Sequence, residues 1–128
     1  MEKKKQQSNF IIPLVVYPFD VMVSIDQTDE ELIKECSKYS LTKKDLKKAG
    51  ALALVNEEGR CVIFKRNQML IRIRKFEPTP RWYGTLQHEI FHCVEFLMYK
   101  LRVNLTPHSD EPYAYLIGYL TEEIYKLL

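Results

Sequence analysis

Two of the three histidines in the chain, His88 and His92, lie four residues apart, and Glu89 directly follows the first. Residues four apart share one face of a helix, so both imidazoles can bind one metal ion while Glu89 lies beside its open position. Neutral imidazoles are good ligands for Zn²⁺, and a catalytic zinc site keeps one position for water. A neighbouring carboxylate can take the proton of that water and pass it to a leaving group. The H-E-x-x-H spacing therefore predicts metal-assisted hydrolysis, with Glu89 as general base.

The motif is short, and a structural helix whose buried histidines only form hydrogen bonds could match it as well. Its surroundings favour the functional interpretation. The residues from Trp82 to Lys100 continue the apolar periodicity of an amphipathic helix of ordinary length.

Composition limits what can surround this helix. With 128 residues, of which 46% are hydrophobic, the chain is expected to form one domain with its own core. A net charge of +2 is too small to indicate nucleic acid. No uninterrupted apolar run is long enough for a membrane span, so we expect no membrane partner. Three widely separated cysteines do not form a disulfide framework, and they indicate a reducing, cytoplasmic compartment.

The remaining elements predict an α+β fold, a small mixed or antiparallel sheet packed on the H-E-x-x-H helix and a C-terminal helix. Residues 1–9 are lysine-rich and are interpreted as a disordered lead-in, and residues 10–128 as a single domain. Thr28 and Thr42 each precede an acidic residue by three positions, which predicts two capped helices. The β-rich runs predict one strand over 14–25 broken at Pro18, a hairpin joining 51–55 to 60–64, and a third strand over 69–74. In that third strand, arginines are expected to face solvent or a ligand.

A two-histidine site needs a third protein ligand, and the C-terminal helix is the place to look for it. This helix is expected to open at Asp110 or Glu111, with Pro112 in its first turn. If it folds back across the first helix, Glu111 faces the histidines. Asp110 and His108 lie at the same loop end and are alternative ligands. Cys61 is a further candidate, but a buried apolar cysteine is the favoured interpretation.

At this point the sequence resembles the gluzincin type of zinc metallopeptidase, in which a second helix supplies a glutamate ligand after the H-E-x-x-H helix. The residues 83–92 and 111–121 look more closely like small zincin-like proteins encoded by bacteriophages and prophages. This resemblance implies a minimal zincin-like metallopeptidase fold and a Zn²⁺ cofactor held by His88, His92 and Glu111. It further implies a peptide or protein substrate, and the cytoplasm of a bacterial host, or a virion, as the location. The larger peptidases have a second lobe, which we do not expect in this chain.

Several residues near the motif have two interpretations each. Tyr115, one turn beyond Glu111, could donate to an oxyanion as a catalytic residue, or could simply pack at the surface. Glu95 could orient His92, or could be solvated. The strand over 69–74 could bind an extended peptide if it forms a sheet edge.

The function has alternatives as well. In the first, the chain is a weakly active or inactive phage structural or host-interaction protein whose zinc site holds its helices together. In the second, it is a protease that cuts one dedicated partner.

Overall fold

The computed structural model describes residues 9–14, 17–53, 58–64 and 68–128. It is an α+β arrangement with a mixed sheet, which confirms the α+β class that the sequence predicts. In chain order its elements are β1 (Asn9–Pro13), β2 (Asp20–Ile25), α1 (Asp29–Ser37), α2 (Lys43–Lys48), β3 (Gly59–Phe64), β4 (Gln68–Ile73), α3 (Pro80–Lys100) and α4 (Asp110–Tyr125).

The four strands form one sheet in the order β1-β2-β4-β3. β2 and β4 run parallel at its centre, with Val21 opposite Met69, and the two outer pairs are antiparallel. Because β2 and β4 are central, their side chains are buried on both faces, as their nearly continuous apolar sequences require.

Helices cover both faces of the sheet. On β2, Val21, Val23 and Ile25 belong to the cluster that includes α3 and α4, whereas Met22 belongs to the cluster that includes α1 and α2. This division follows from the two-residue period of a strand. The helix with the H-E-x-x-H motif, α3, therefore packs on a sheet whose opposite face is covered by α1 and α2.

The predicted helix starts at Thr28 and Thr42 are confirmed. The Thr28 hydroxyl accepts the backbone N–H of Glu31, and Thr42 forms a reciprocal capping box with Asp45.

The prediction that the arginines of the third strand face solvent or a ligand is wrong for Arg72. Its side chain is buried, lies 2.8 Å from an Asp29 carboxylate oxygen and donates to the Gln27 carbonyl. A buried guanidinium needs such partners because an unpaired buried charge is costly. Arg72 thus ties the start of α1 to the sheet.

Three strand predictions are corrected. In the described part of the run 14–25, only Asp20–Ile25 forms a strand, β2, and it pairs antiparallel with β1, which ends at Pro13 before the run begins; Val15 and Val16 lie outside the described residues. In the predicted hairpin, Ala51–Ala53 form no strand, and residues 54–57 are outside the description. The second strand of that prediction, β3, pairs with β4. β4 is central, so the exposed edge beside α3 is β3. Of the predicted lead-in, residues 1–8 lie outside the description, and Asn9 begins β1.

α3 contains the H-E-x-x-H motif and is fixed at its start. The Thr79 hydroxyl accepts the Trp82 N–H, Pro80 lies in the first turn, and the Trp82 indole donates to the Lys75 carbonyl at 2.7 Å. In the described part of the chain, none of the helices combines the length and apolar content of a membrane span.

Candidate functional site

His88 and His92 converge at the surface of α3. Their Nε2 atoms are 3.0 Å apart, and their ring planes are inclined by 75° with centroids 4.6 Å apart. Two nitrogens that each lie about 2.0–2.1 Å from a tetrahedral zinc ion are about 3.4 Å apart. The pair is therefore within a few tenths of an ångström of the separation that one zinc ion requires, and the donor chemistry fits.

Glu89 lies on the sheet side of the same turn. It is 7% exposed, and an added Cβ at Gly59 of β3 would be only 3.0 Å from its Cγ. Such a close approach is possible because glycine has no side chain. The edge strand thus confines the Glu89 side chain next to the histidines.

Both His88 and Glu89 line an open cleft of about 550 Å³ between α3 and the start of β3. An ion pair borders it: Arg81 lies 2.6 Å from one Glu58 carboxylate oxygen, and the Thr85 hydroxyl donates to the other at 2.8 Å. The hydrogen bond from Thr85, together with the Arg81 guanidinium, holds the pKa of Glu58 below its usual range. The cleft therefore presents charged groups at its rim and a buried carboxylate deeper in.

The opposite side of the histidine pair is aromatic. The Phe96 ring stacks on His92, with centroids 6.1 Å apart and planes inclined by 20°, and the Phe91 side chain is 37% exposed beside it. These ring contacts limit the rotation of the His92 imidazole.

Comparison with known proteins assigns this chain to no family. No family model, no characterised protein and no solved structure matches the chain. Functional inference therefore rests on the site itself.

Glu111 does not line the cleft of His88. A hydrogen bond between Gln87 and Thr121 and a ring contact between Tyr83 and Tyr125 place α4 on one side of α3. His92 is nine residues after Tyr83, which is about 180° around the helix at about 100° per residue. The histidines consequently point away from α4.

The first turn of α4 also turns Glu111 outward. Tyr113, two residues later, is buried in the core, so Glu111 lies about 160° away around the helix and is exposed. It lines a separate cavity with Tyr115, whose side chain is 81% exposed. Neither residue lines the cleft of His88.

Within the described ranges, no three His, Cys, Asp or Glu residues form a group suited to a metal ion. The structure thus brings together His88, His92 and Glu89 but does not add Glu111 to the pair. Asp110 and His108 are exposed near the same loop end and join no such group either. The role of Glu111 as third ligand, and that of Tyr115 as catalytic residue, stay predictions.

Two cysteines lie beneath the site, on the core side of α3 and β3. A hydrogen bond with the Cys93 thiol raises the pKa of Cys61, and burial and the charge of Glu89 act in the same direction. The Cys61 side chain thus lies among buried groups that disfavour a charged thiolate. This environment agrees with the favoured interpretation of Cys61 as a buried apolar residue.

Sequence reasoning missed the Glu58, Arg81 and Thr85 network at the cleft. Glu58 is far from the helix in the chain, so no local spacing could have linked it to Arg81. The sequence marks Gly59 only as a glycine of a predicted turn. In the structure its missing side chain lets β3 approach Glu89 closely.

Proposed function

We propose that this chain is a zinc-dependent, metallopeptidase-like hydrolase that acts on a peptide or protein amide bond. His88 and His92 hold the zinc ion, and Glu89 is the general base. The observation that carries the proposal is the 3.0 Å separation of the His88 and His92 Nε2 atoms, with His88 and the buried Glu89 carboxylate lining an open cleft. When bound, zinc supplies a Lewis acid that polarises a carbonyl and lowers the pKa of water.

Glu89 is suited to proton transfer because its position is restricted. The side chain is almost fully buried against Gly59, so few rotamers are open to it. It takes a proton from the attacking water and delivers it to the departing amide nitrogen. Preorganisation of this kind lowers the cost of aligning the reacting groups.

The edge strand β3 supports a peptide as the substrate. In the described sheet β3 pairs only with β4, and its start at Gly59 borders the cleft of His88. An extended peptide can add to such an edge through main-chain hydrogen bonds. The zincin-like fold is proposed on the same grounds, since α3 lies against this edge strand and its His88 lines the cleft.

A zinc site that only clamps the helices has less support. α3 and α4 are already joined by the Gln87–Thr121 hydrogen bond and by the buried residues Leu116 and Leu120. The three cysteines are free thiols, which supports a reducing compartment such as the cytoplasm.

Metal content tests the proposal. Protein purified from zinc-supplemented cells is expected to hold about one zinc per chain, Glu89→Gln to retain it and His92→Ala to lose it. Three further variants identify the third ligand: among Glu111→Ala, Asp110→Asn and His108→Ala, only the one that removes this ligand is expected to lose zinc. A wild-type protein that is folded and contains no zinc contradicts the proposal.

A further inference from the structure

A second cavity lies on the other side of the helical layer. It lies between the first turns of α4 and the residues Leu14 and Tyr17, and its volume is about 430 Å³. This is within the range of about 300–1,000 Å³ that is usual for small-molecule sites. The described residues that line it are Leu14, Tyr17, Glu111, Pro112, Tyr115, Leu116 and Tyr119.

The walls of this tyrosine cavity are apolar and partly fixed. Leu14 and Leu116 are buried in the main core, and the half-buried Tyr17 packs against it. The Tyr119 hydroxyl donates to the Pro13 carbonyl at 3.2 Å, which holds its ring between α4 and the end of β1. Tyr115 is the exception, since its exposed ring can move over the opening.

One charge faces this apolar space. Among the described lining residues, Glu111 is the sole carboxylate, and no lysine or arginine accompanies it. Tyrosine ring faces attract cations through their quadrupoles, and an adjacent carboxylate adds to that attraction. An anion would be repelled, and a neutral ligand would desolvate Glu111 without compensation.

We propose that the tyrosine cavity binds a small organic ammonium ion, with its apolar body against Leu14 and Leu116 and its charge between Glu111 and the tyrosine rings. This site is independent of the histidines on α3 and goes beyond the proposed hydrolase. It also gives Glu111 a task at the place where the structure puts it.

The test is an NMR titration of the ¹⁵N-labelled full chain with benzyltrimethylammonium. Amide shifts are expected at Leu116 and Tyr119. Benzyl alcohol and benzoate, which share the ring but lack the positive charge, are expected to bind at least about fivefold more weakly. Equal affinity for benzoate or benzyl alcohol would overturn the proposal.

Variants locate the charge recognition. Glu111→Gln keeps the shape of the side chain and is expected to raise Kd about fivefold or more, and Tyr115→Ala, at an exposed position, to raise it similarly. Glu122→Gln, an exposed glutamate at the other end of α4, is the matched control and keeps the wild-type Kd. Unchanged binding in Glu111→Gln contradicts the proposal.

One further pair of measurements separates this proposal from the hydrolase. His92→Ala is expected to lose zinc and keep its ammonium affinity, and Glu111→Gln is expected to lose ammonium affinity. Loss of zinc in Glu111→Gln would make Glu111 a metal ligand and would overturn its assignment to the tyrosine cavity.

Discussion

The two cavities of the helical layer use a glutamate in opposite ways. In the cleft between α3 and β3, Glu89 is buried and confined by Gly59, and the histidine pair lies on the same helix turn. In the tyrosine cavity, Glu111 is exposed at the first turn of α4 and faces an apolar wall. A fixed, buried carboxylate suits proton transfer, whereas an exposed one beside aromatic rings suits the binding of charge. Burial and neighbouring groups, more than residue type, therefore distinguish the roles that we propose for these two glutamates.

The largest effect is expected from Glu89→Gln in a peptide-hydrolysis assay of the zinc-loaded protein. The amide cannot accept a proton, so kcat/KM is expected to fall by about 10²–10⁴-fold while the zinc content is unchanged. The assay follows cleavage of a library of unstructured peptides by mass spectrometry.

Glu111→Gln is the matched comparison in the same assay. If Glu111 acts only in the tyrosine cavity, which it lines, this substitution is expected to change kcat/KM by less than about threefold. A loss as large as that of Glu89→Gln would mean that both glutamates act in the same site, and it would contradict the assignment of Glu111 to the tyrosine cavity.

Two glycine substitutions contrast the same regions through stability. In Gly59→Ala the added methyl group would lie 2.9 Å from Ile73 Cδ1 and 3.0 Å from Glu89 Cγ. Since Ile73 is buried and cannot yield freely, unfolding free energy is expected to fall by about 1–3 kcal/mol. In Gly118→Ala on α4 nothing lies within 4 Å of the new methyl group, and helix propensity is expected to add about 0.5–1 kcal/mol.

Thermal unfolding followed by circular dichroism measures both, with opposite shifts of Tm by a few degrees. Gly59→Ala is also expected to lower the hydrolysis rate, because Glu89 must move. A Gly59→Ala protein with wild-type stability would show that β3 does not confine Glu89.

The local parts of the fold could be predicted from the sequence because their signals are local. Thr28 and Thr42 cap helices through residues three positions away, and the periodicity around His88 marks α3. Strand pairing could not be predicted in the same way, since the parallel contact between β2 and β4 joins residues more than forty positions apart. Arg72 shows the same limit: its alternation with apolar residues suggests exposure, but Asp29, distant in the chain, pairs with it.

The candidate site divides along the same line. His88 and His92 lie on one helix, so their spacing alone predicts their convergence, and the structure confirms it. Glu111 depends on the side of α3 against which α4 packs, which the spacing between His92 and Glu111 leaves open. The buried face of α4, at Tyr113 and Leu116, decides the packing and leaves Glu111 on the exposed face, and its role as third ligand stays a prediction.

The smallest effect is expected from Tyr119→Phe, which tests how the tyrosine cavity is held together. The hydroxyl of Tyr119 bonds the Pro13 carbonyl at 3.2 Å in an exposed setting, so its loss is expected to lower unfolding free energy by only about 0.5–1 kcal/mol. Tyr115→Phe is the control: in the described part of the chain the Tyr115 hydroxyl makes no hydrogen bond, and we expect a change within about 0.5 kcal/mol. Urea denaturation measures both. Equal stability of the two variants would mean that apolar packing, without this hydrogen bond, holds α4 against β1. The cavity wall would then depend on Leu14 and Leu116 alone, whereas the cleft of Glu89 depends on the close approach of a strand.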